Sequence, residues 1–209
     1  MLYSFSGPSE IINDNLAVKS EEELAFVYLT AALCEKADLK IENINSEALA
    51  AVYEDAGIQS NFYDNRLYIT KKPLHINGTL IKDFSEHAHL AIPFAIVCAA
   101  KGIQADLKGL ETLVKEKGTA VAMFQKEIYR FHINTDFCDH SKLKIFNNKG
   151  IKQKTKPVKV SSDDTLTMNF IPLATFFKNM EIELAEDFFE RNGELAALLA
   201  SLNFSYNKI

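Results

Sequence analysis

The sequence predicts an inside-out α/β barrel: three βαβαββ repeats whose buried helices lie at the centre with the sheets outside them. Repetition is the first observation behind this. With Ala25 placed on Ala91, ELAFVYLTAALCEKADLKIENI lies over HLAIPFAIVCAAKGIQADLKGL without a gap, and Leu24 meets Leu90, Leu39 meets Ala105, Ile41 meets Leu107 and Ile44 meets Leu110. A third segment joins the series when Pro172 is placed on Pro93, which brings Ile171 onto Ile92 and Ala174 onto Ala95. Internal repetition of this kind outweighs any single propensity. The last observation is where the all-apolar stretches fall. Leu90 to Ala100 is apolar on every side of a helix, so it is a helix buried all round, and it is too short to span a bilayer. A doubly wound sheet puts such runs in its strands; here the strands alternate instead.

Taken in order, Leu2 to Phe5 alternates as a short strand and stops at Gly7-Pro8. Glu10 to Val18 is a second, weaker strand. Ser20 with Glu21, Glu22 and Glu23 is a helix cap with an acidic first turn, opening a helix to about Lys36. Ala37 to Ile44 alternates as a strand; Ser46 caps a helix to about Ala56, and Gly57 closes it. Gln59 to Tyr63 and Leu67 to Thr70 form a hairpin turning at Asp64-Asn65. The first repeat thus covers about 9–72.

The second repeat, about 73–148, carries the buried helix with its core from Leu90 to Ala100, a cap signal at Lys101-Gly102, the strand IQADLKGL, a helix from about Lys117 to Tyr129, and a hairpin turning at Asp139-His140-Ser141. The third, about 156–209, has a strand from Val158 to Ser161, a cap at Asp163 or Asp164, the buried helix LTMNFIPLATFF, the strand MEIELAE and a helix from Glu190 to Leu202. It lacks its closing hairpin. Leu2 to Phe5 and Ser205 to Ile209, the two ends of the chain, are available to complete it. The expected organisation is one domain over 1–209.

The 209 residues are 47% apolar, ample for a packed core, and the net charge of −5 argues against nucleic-acid and anionic-membrane surfaces. Arg66, Arg130 and Arg191 are the only arginines, few for gripping phosphates bidentately. Cys34, Cys98 and Cys138 lie far apart without a CxxC pair, which points to reduced thiols, and MLYSFSGPSE has no signal-peptide pattern; a cytoplasmic protein is expected. No glycine-rich phosphate loop, nucleophile elbow or zinc pattern is present, so no cofactor and no metal are expected.

The passages LIKDFSEHAHLAIPFAIVCAAKGI, GLETLVKEKGTAVAM and SSDDTLTMNFIPLATFF followed by MEIELAED resemble the C-terminal domain of the enolpyruvyl transferases, and within them the EPSP synthase family, over about Ser9 to Phe204. The resemblance implies the inside-out fold and transfer of the carboxyvinyl group of phosphoenolpyruvate to shikimate 3-phosphate in aromatic amino-acid synthesis. It also implies a partner domain, since the family closes two such domains on its substrates and this chain contains one. The family's Lys-Glu-Thr-Asp-Arg loop corresponds to Lys115 through Thr119: Lys115 and Glu116 match the proton-transfer pair, while Thr119 stands where an arginine holds phosphoenolpyruvate. His89 stands at the general-base aspartate. Asp163-Asp164-Thr165 matches an Asp-His-Arg motif, Thr165 replacing its arginine, and Glu190 stands near a later lysine. Glu22 and Phe26 lie close to the serine and tyrosine that touch the shikimate phosphate.

These replacements share one sign. The substrates are polyanions, and each charge-assisted contact to them is worth roughly 1.5 to 3 kcal/mol. Exchanging two arginines and a lysine for Thr119, Thr165 and Glu190 removes that grip. Other readings of single groups stay open. Lys115-Glu116 is an acid/base pair or a solvated turn; His87 and His89 cap or pack a helix, or His89 serves as a replacement base. Asp136, Asp139 and His140 suit a hairpin turn, and the lysines at 149, 152, 154, 156 and 159 a solvated loop. Two functions follow. One is carboxyvinyl transfer, with a partner domain or a second subunit covering the cleft face; the other is a degenerate, non-catalytic binding or assembly module.

Overall fold

The computed structural model describes residues 1–74, 76–146, 151, 157–160, 162–177 and 179–209. Packing divides the chain into two compact units, residues 1–74 with 157–209, and residues 75–156. The lysine positions 149, 152, 154 and 156 and the Ser161 end of the third strand lie outside the described residues.

In the first unit, β1 (Leu2–Ser6) is followed by β2 (Glu10–Leu16), α1 (Glu21–Leu33), β3 (Lys36–Glu42), α2 (Glu47–Glu54), β4 (Ile58–Tyr63) and β5 (Arg66–Lys71). One sheet has the order β2-β3-β5-β4, its first pair parallel and the others antiparallel. β3 alternates as expected, burying Ala37, Leu39 and Ile41. The Ser20 hydroxyl accepts from Glu23 N–H at the start of α1, and Ser46 does the same from Leu49 N–H at α2. Asp64 and Asn65 both have positive φ, as a two-residue hairpin turn requires.

Every α1 residue from Phe26 to Leu33 is buried. The reason is tertiary: α1 packs on β3, β4 and β5 on one side and on the third buried segment on another. It ends at Leu33, short of Lys36, with no basic residue in its last turn; Lys71 of β5 supplies the cation instead, donating to the carbonyls of Ala32 and Cys34.

The third buried segment opens with α5 (Asp164–Phe170) after β10 (Val158–Lys159), then tightens into a 3₁₀ turn over Ile171–Thr175. It is not the single α-helix expected. Pro172 has no N–H for the α-helical ladder, whereas Pro93, its counterpart by sequence, falls in a helix's first turn, where that N–H has no partner anyway. After β11 (Met180–Glu183) the expected last helix is likewise divided, into α6 (Phe188–Arg191) and α7 (Leu195–Ser201). Asn192 is non-helical and Gly193 follows it.

The second sheet of this unit has the order β10-β11-β1-β12, where β12 is Ser205–Lys208. β1 pairs antiparallel with both β11 and β12, Tyr3 facing Ile182 on one side and Lys208 on the other. Leu2–Ser6 and Ser205–Lys208 therefore meet as neighbouring strands. An aromatic cluster fastens α6 to them: Phe189 stacks on Tyr206 at 4.8 Å and meets Tyr3 edge-on at 5.5 Å.

The second unit contains β6 (Leu80–Asp83), a 3₁₀ turn over Ala88–Leu90, α3 (Ala91–Lys101), β7 (Ala105–Lys108), α4 (Glu111–Tyr129), β8 (Thr135–Cys138) and β9 (Lys142–Ile145). Its sheet order is β6-β7-β9-β8, again with the first pair parallel. α3 is buried from Ala91 to Ala100 and packs on β7 and β9. Gly102, in the left-handed region at φ 68°, caps it through N–H bonds back to Ala99 and Cys98. Among the described residues, no helix is long and apolar enough to cross a membrane.

Candidate functional site

In the second unit the matched residues stand around the entry to α3 and the first half of α4. β6 ends at Asp83, whose Oδ1 accepts from the Ser85 N–H at 2.8 Å and from the Ser85 hydroxyl. These two donors hold the Asp83 carboxyl below its ordinary range. Gly109 lies against the turn at φ 74°; a Cβ there would come within 2.3 Å of Ser85 Oγ and 2.6 Å of Asp83 Oδ1. The chain then rises through His87 N–H donating to Phe84 O, and delivers His89, exposed, on the 3₁₀ turn. The His87 and His89 rings meet edge to face at 6.4 Å.

Lys115, Glu116 and Thr119 are also exposed. α4 begins at Glu111, earlier than the expected Lys117, because Leu110 and Leu113 give its first turn a buried face. It bends at Lys117, where φ is −134° and ψ 34°, with Gly118 next. Lys115 and Glu116 thus sit on successive positions of one helical turn, about 100° apart around the axis, and do not face each other.

In the first unit, Asp163 is the N-cap of α5: its Oδ1 accepts from Leu166 N–H at 2.8 Å. Asp164 binds the Arg191 guanidinium, Oδ2 to Nη1 2.6 Å, and accepts from Asn192 Nδ2 at 3.3 Å. Arg191 Nε also reaches Asp187 Oδ2 at 3.0 Å. Thr165 and Glu190 are exposed, as is Glu22, while Phe26 is buried beside Phe204 at 6.1 Å between rings.

So the matched residues fall in two groups, Asp163, Asp164, Thr165, Glu190, Glu22 and Phe26 on the first unit, and His89, Lys115, Glu116 and Thr119 on the second. Two features escaped the sequence reading. The Asp-x-Ser spacing at Asp83 is a turn signal that was there to be read; the pairing of Arg191 with Asp164 depends on tertiary geometry and had no local signal. Among the described residues no group of three or more His, Cys, Asp or Glu is placed to hold a metal ion.

No protein-family model matches the sequence, and comparison with curated proteins finds no match. Solved structures do match. EPSP synthase from Acinetobacter baumannii superposes with a TM-score of 0.62 at 16% identity, over 90% of this chain and 47% of that one. A second structure of that enzyme matches with a TM-score of 0.61 at 15% identity, over 90% and 46% of the two chains. The enolpyruvyl transferase NikO from Streptomyces tendae matches with a TM-score of 0.55 at 11% identity, over 96% and 46%. The architecture is therefore that of the enolpyruvyl transferases. More particularly, the chain has an EPSP synthase-like fold and spans about half the length of the structures it matches.

Proposed function

We propose that this chain is a single enolpyruvyl-transferase-like domain over 1–209, an inside-out barrel of three βαβαββ repeats, that does not by itself transfer a carboxyvinyl group and serves as a binding or assembly module. The repeat reading is supported by the common order of the three sheets, each a parallel pair followed by two antiparallel neighbours. In the terminal sheet β12 and β1 occupy the places that β4 and β5 hold in the first sheet. The three separated cysteines fit a cytoplasmic setting.

One observation carries the non-catalytic reading. Where the resembled enzymes place an anion-binding arginine, this chain has Thr165, and the neighbouring Arg191 is already held by Asp164 and Asp187. A phosphate arriving here would meet two carboxylates and compete with them for one guanidinium. The test is calorimetry of the purified protein with shikimate 3-phosphate and with phosphoenolpyruvate. Neither should bind; micromolar binding of either overturns the reading.

The match over about half of each EPSP synthase structure favours one alternative, a half-enzyme completed by a separate partner domain. In that case phosphoenolpyruvate and shikimate 3-phosphate are its substrates, with Lys115, Glu116 and His89 as the candidates for proton transfer. Co-expression with a complementary three-repeat domain would then yield inorganic phosphate from phosphoenolpyruvate only when shikimate 3-phosphate is present, and no release would exclude it.

A further inference from the structure

The edge strands of the three sheets are not alike. β2 carries Glu10 and Asp14, β6 Lys82 and Asp83, β8 Asp136, β10 Lys159 and β12 Lys208. Charges on an edge strand keep it from pairing with another chain. β4, Ile58-Gln59-Ser60-Asn61-Phe62-Tyr63, is the edge strand among the described residues that has none, and it has no proline or bulge either.

Its hydrogen-bonding phase is settled by the pairing with β5. Lys72 N–H donates to Gly57 O at 2.8 Å, and the register continues Gln59 with Thr70, Asn61 with Tyr68 and Tyr63 with Arg66. These alternate residues turn their N–H and C=O groups toward β5. Ile58, Ser60 and Phe62 turn theirs the other way, and none of those backbone groups has a protein partner among the described residues. Beside this strand runs a groove of about 660 Å³, lined also by Ala50, Ala51 and Glu54 of α2 and by Lys72 to Leu74. Phe62 shares the core-facing side with buried Ile58 and is nonetheless 44% exposed.

We propose that β4 pairs antiparallel with β4 of a second copy, joining the two sheets β2-β3-β5-β4 into one across a twofold axis. The phase admits a self-complementary register. Ser60 faces Ser60 of the second copy, and Ile58 faces Phe62 of the second copy, so that each outward N–H and C=O finds its match. Exposed Phe62 then lies against an apolar neighbour. On the opposite face Gln59 meets Asn61 of the second copy, amide against amide. With no charge in the strand, the register sets no like charges opposite one another. The Ser60 side chain is already oriented from beneath, since its Oγ accepts from the Tyr28 hydroxyl at 2.8 Å. This assembly goes beyond the proposed function and holds whether or not the chain has transferase activity.

Sedimentation equilibrium of the full chain is the test, with variants at Gln59 and Asn61, whose side chains lie on the face away from the core. Wild type should populate a dimer. The double variant Gln59→Lys, Asn61→Lys sets lysines directly opposite each other and should weaken the dimer about tenfold or more. Mixing it with Gln59→Glu, Asn61→Glu should restore association as a heterodimer, which a variant that merely failed to fold would not do. A wild-type monomer at high protein concentration, or a dimer indifferent to these charges, overturns the proposal. So does a monomer whose Ile58 and Ser60 amides gain exchange protection only when an unrelated extended peptide is added, which would make the groove a peptide site.

Discussion

Arg191 and Asp164 meet at 2.6 Å, tying the last turn of α6 to the first turn of α5. The Arg191 side chain is about half exposed and Asp164 less so, so solvent screens the pair. Asp164→Asn should therefore cost at most about 1 kcal/mol, seen as a fall in Tm of about 2–4 °C. The variant should not acquire affinity for inorganic phosphate in calorimetry, because Asp187 still holds the guanidinium.

Asp163 separates a structural from a ligand-binding role. As a helix cap it should tolerate asparagine, whose side-chain oxygen accepts the same Leu166 N–H, and should lose about 1 kcal/mol of stability on change to alanine. Urea unfolding of Asp163→Asn and Asp163→Ala reads this directly. Equal destabilisation by both would show that the carboxylate charge, and not the cap, is what the site needs.

Gly109 and Gly118 should respond in opposite directions to alanine. At Gly109 the positive φ and the close approach of Ser85 and Asp83 leave no room, and Gly109→Ala should destabilise by about 2–4 kcal/mol. Gly118 faces open space within α4, so Gly118→Ala should be neutral or stabilise by up to about 1 kcal/mol. Denaturant midpoints of the two variants provide the comparison.

Asp83 gives the turn before α3 a dependence on acid. Its pKa is lowered in the folded state, chiefly by the Ser85 hydroxyl and then by the Ser85 N–H. A lowered carboxyl contributes stability above its unfolded pKa of about 3.9 and loses it as pH falls through the lower, folded value. Ser85→Ala removes the larger cause, so wild type and variant should differ in unfolding midpoint near neutral pH and converge as the solution is acidified below that range. A constant difference across the whole range would count against this role of the hydroxyl.

Short-range features were legible in the sequence. Ser20 and Ser46 announced their helices, Asp64-Asn65 its hairpin and Lys101-Gly102 the end of α3, because caps and turns are decided by a few adjacent residues. The length of the third buried helix was misread, since an apolar run says nothing of where Pro172 falls relative to the cap at Asp163. The same applies to the helix divided after Arg191. Candidate site positions were legible only through resemblance. What their neighbours do was hidden: Asp164 and Arg191 are far apart in the chain, and no spacing rule connects them.

The pairing of β1 has a consequence for the order in which the protein comes off the ribosome. Leu2–Ser6 are synthesised well before their hydrogen-bonding partners, Met180–Glu183 and Ser205–Lys208. Until those partners are made the segment, which carries Tyr3 and Phe5, lacks its sheet neighbours, and the closure entropy of a very long loop is met only when they appear. Residues 75–156, whose sheet is assembled entirely from neighbouring stretches of chain, have no such wait. Docking of β1 thus waits on distant stretches of chain, and until then its backbone is open to a chaperone or to another nascent copy.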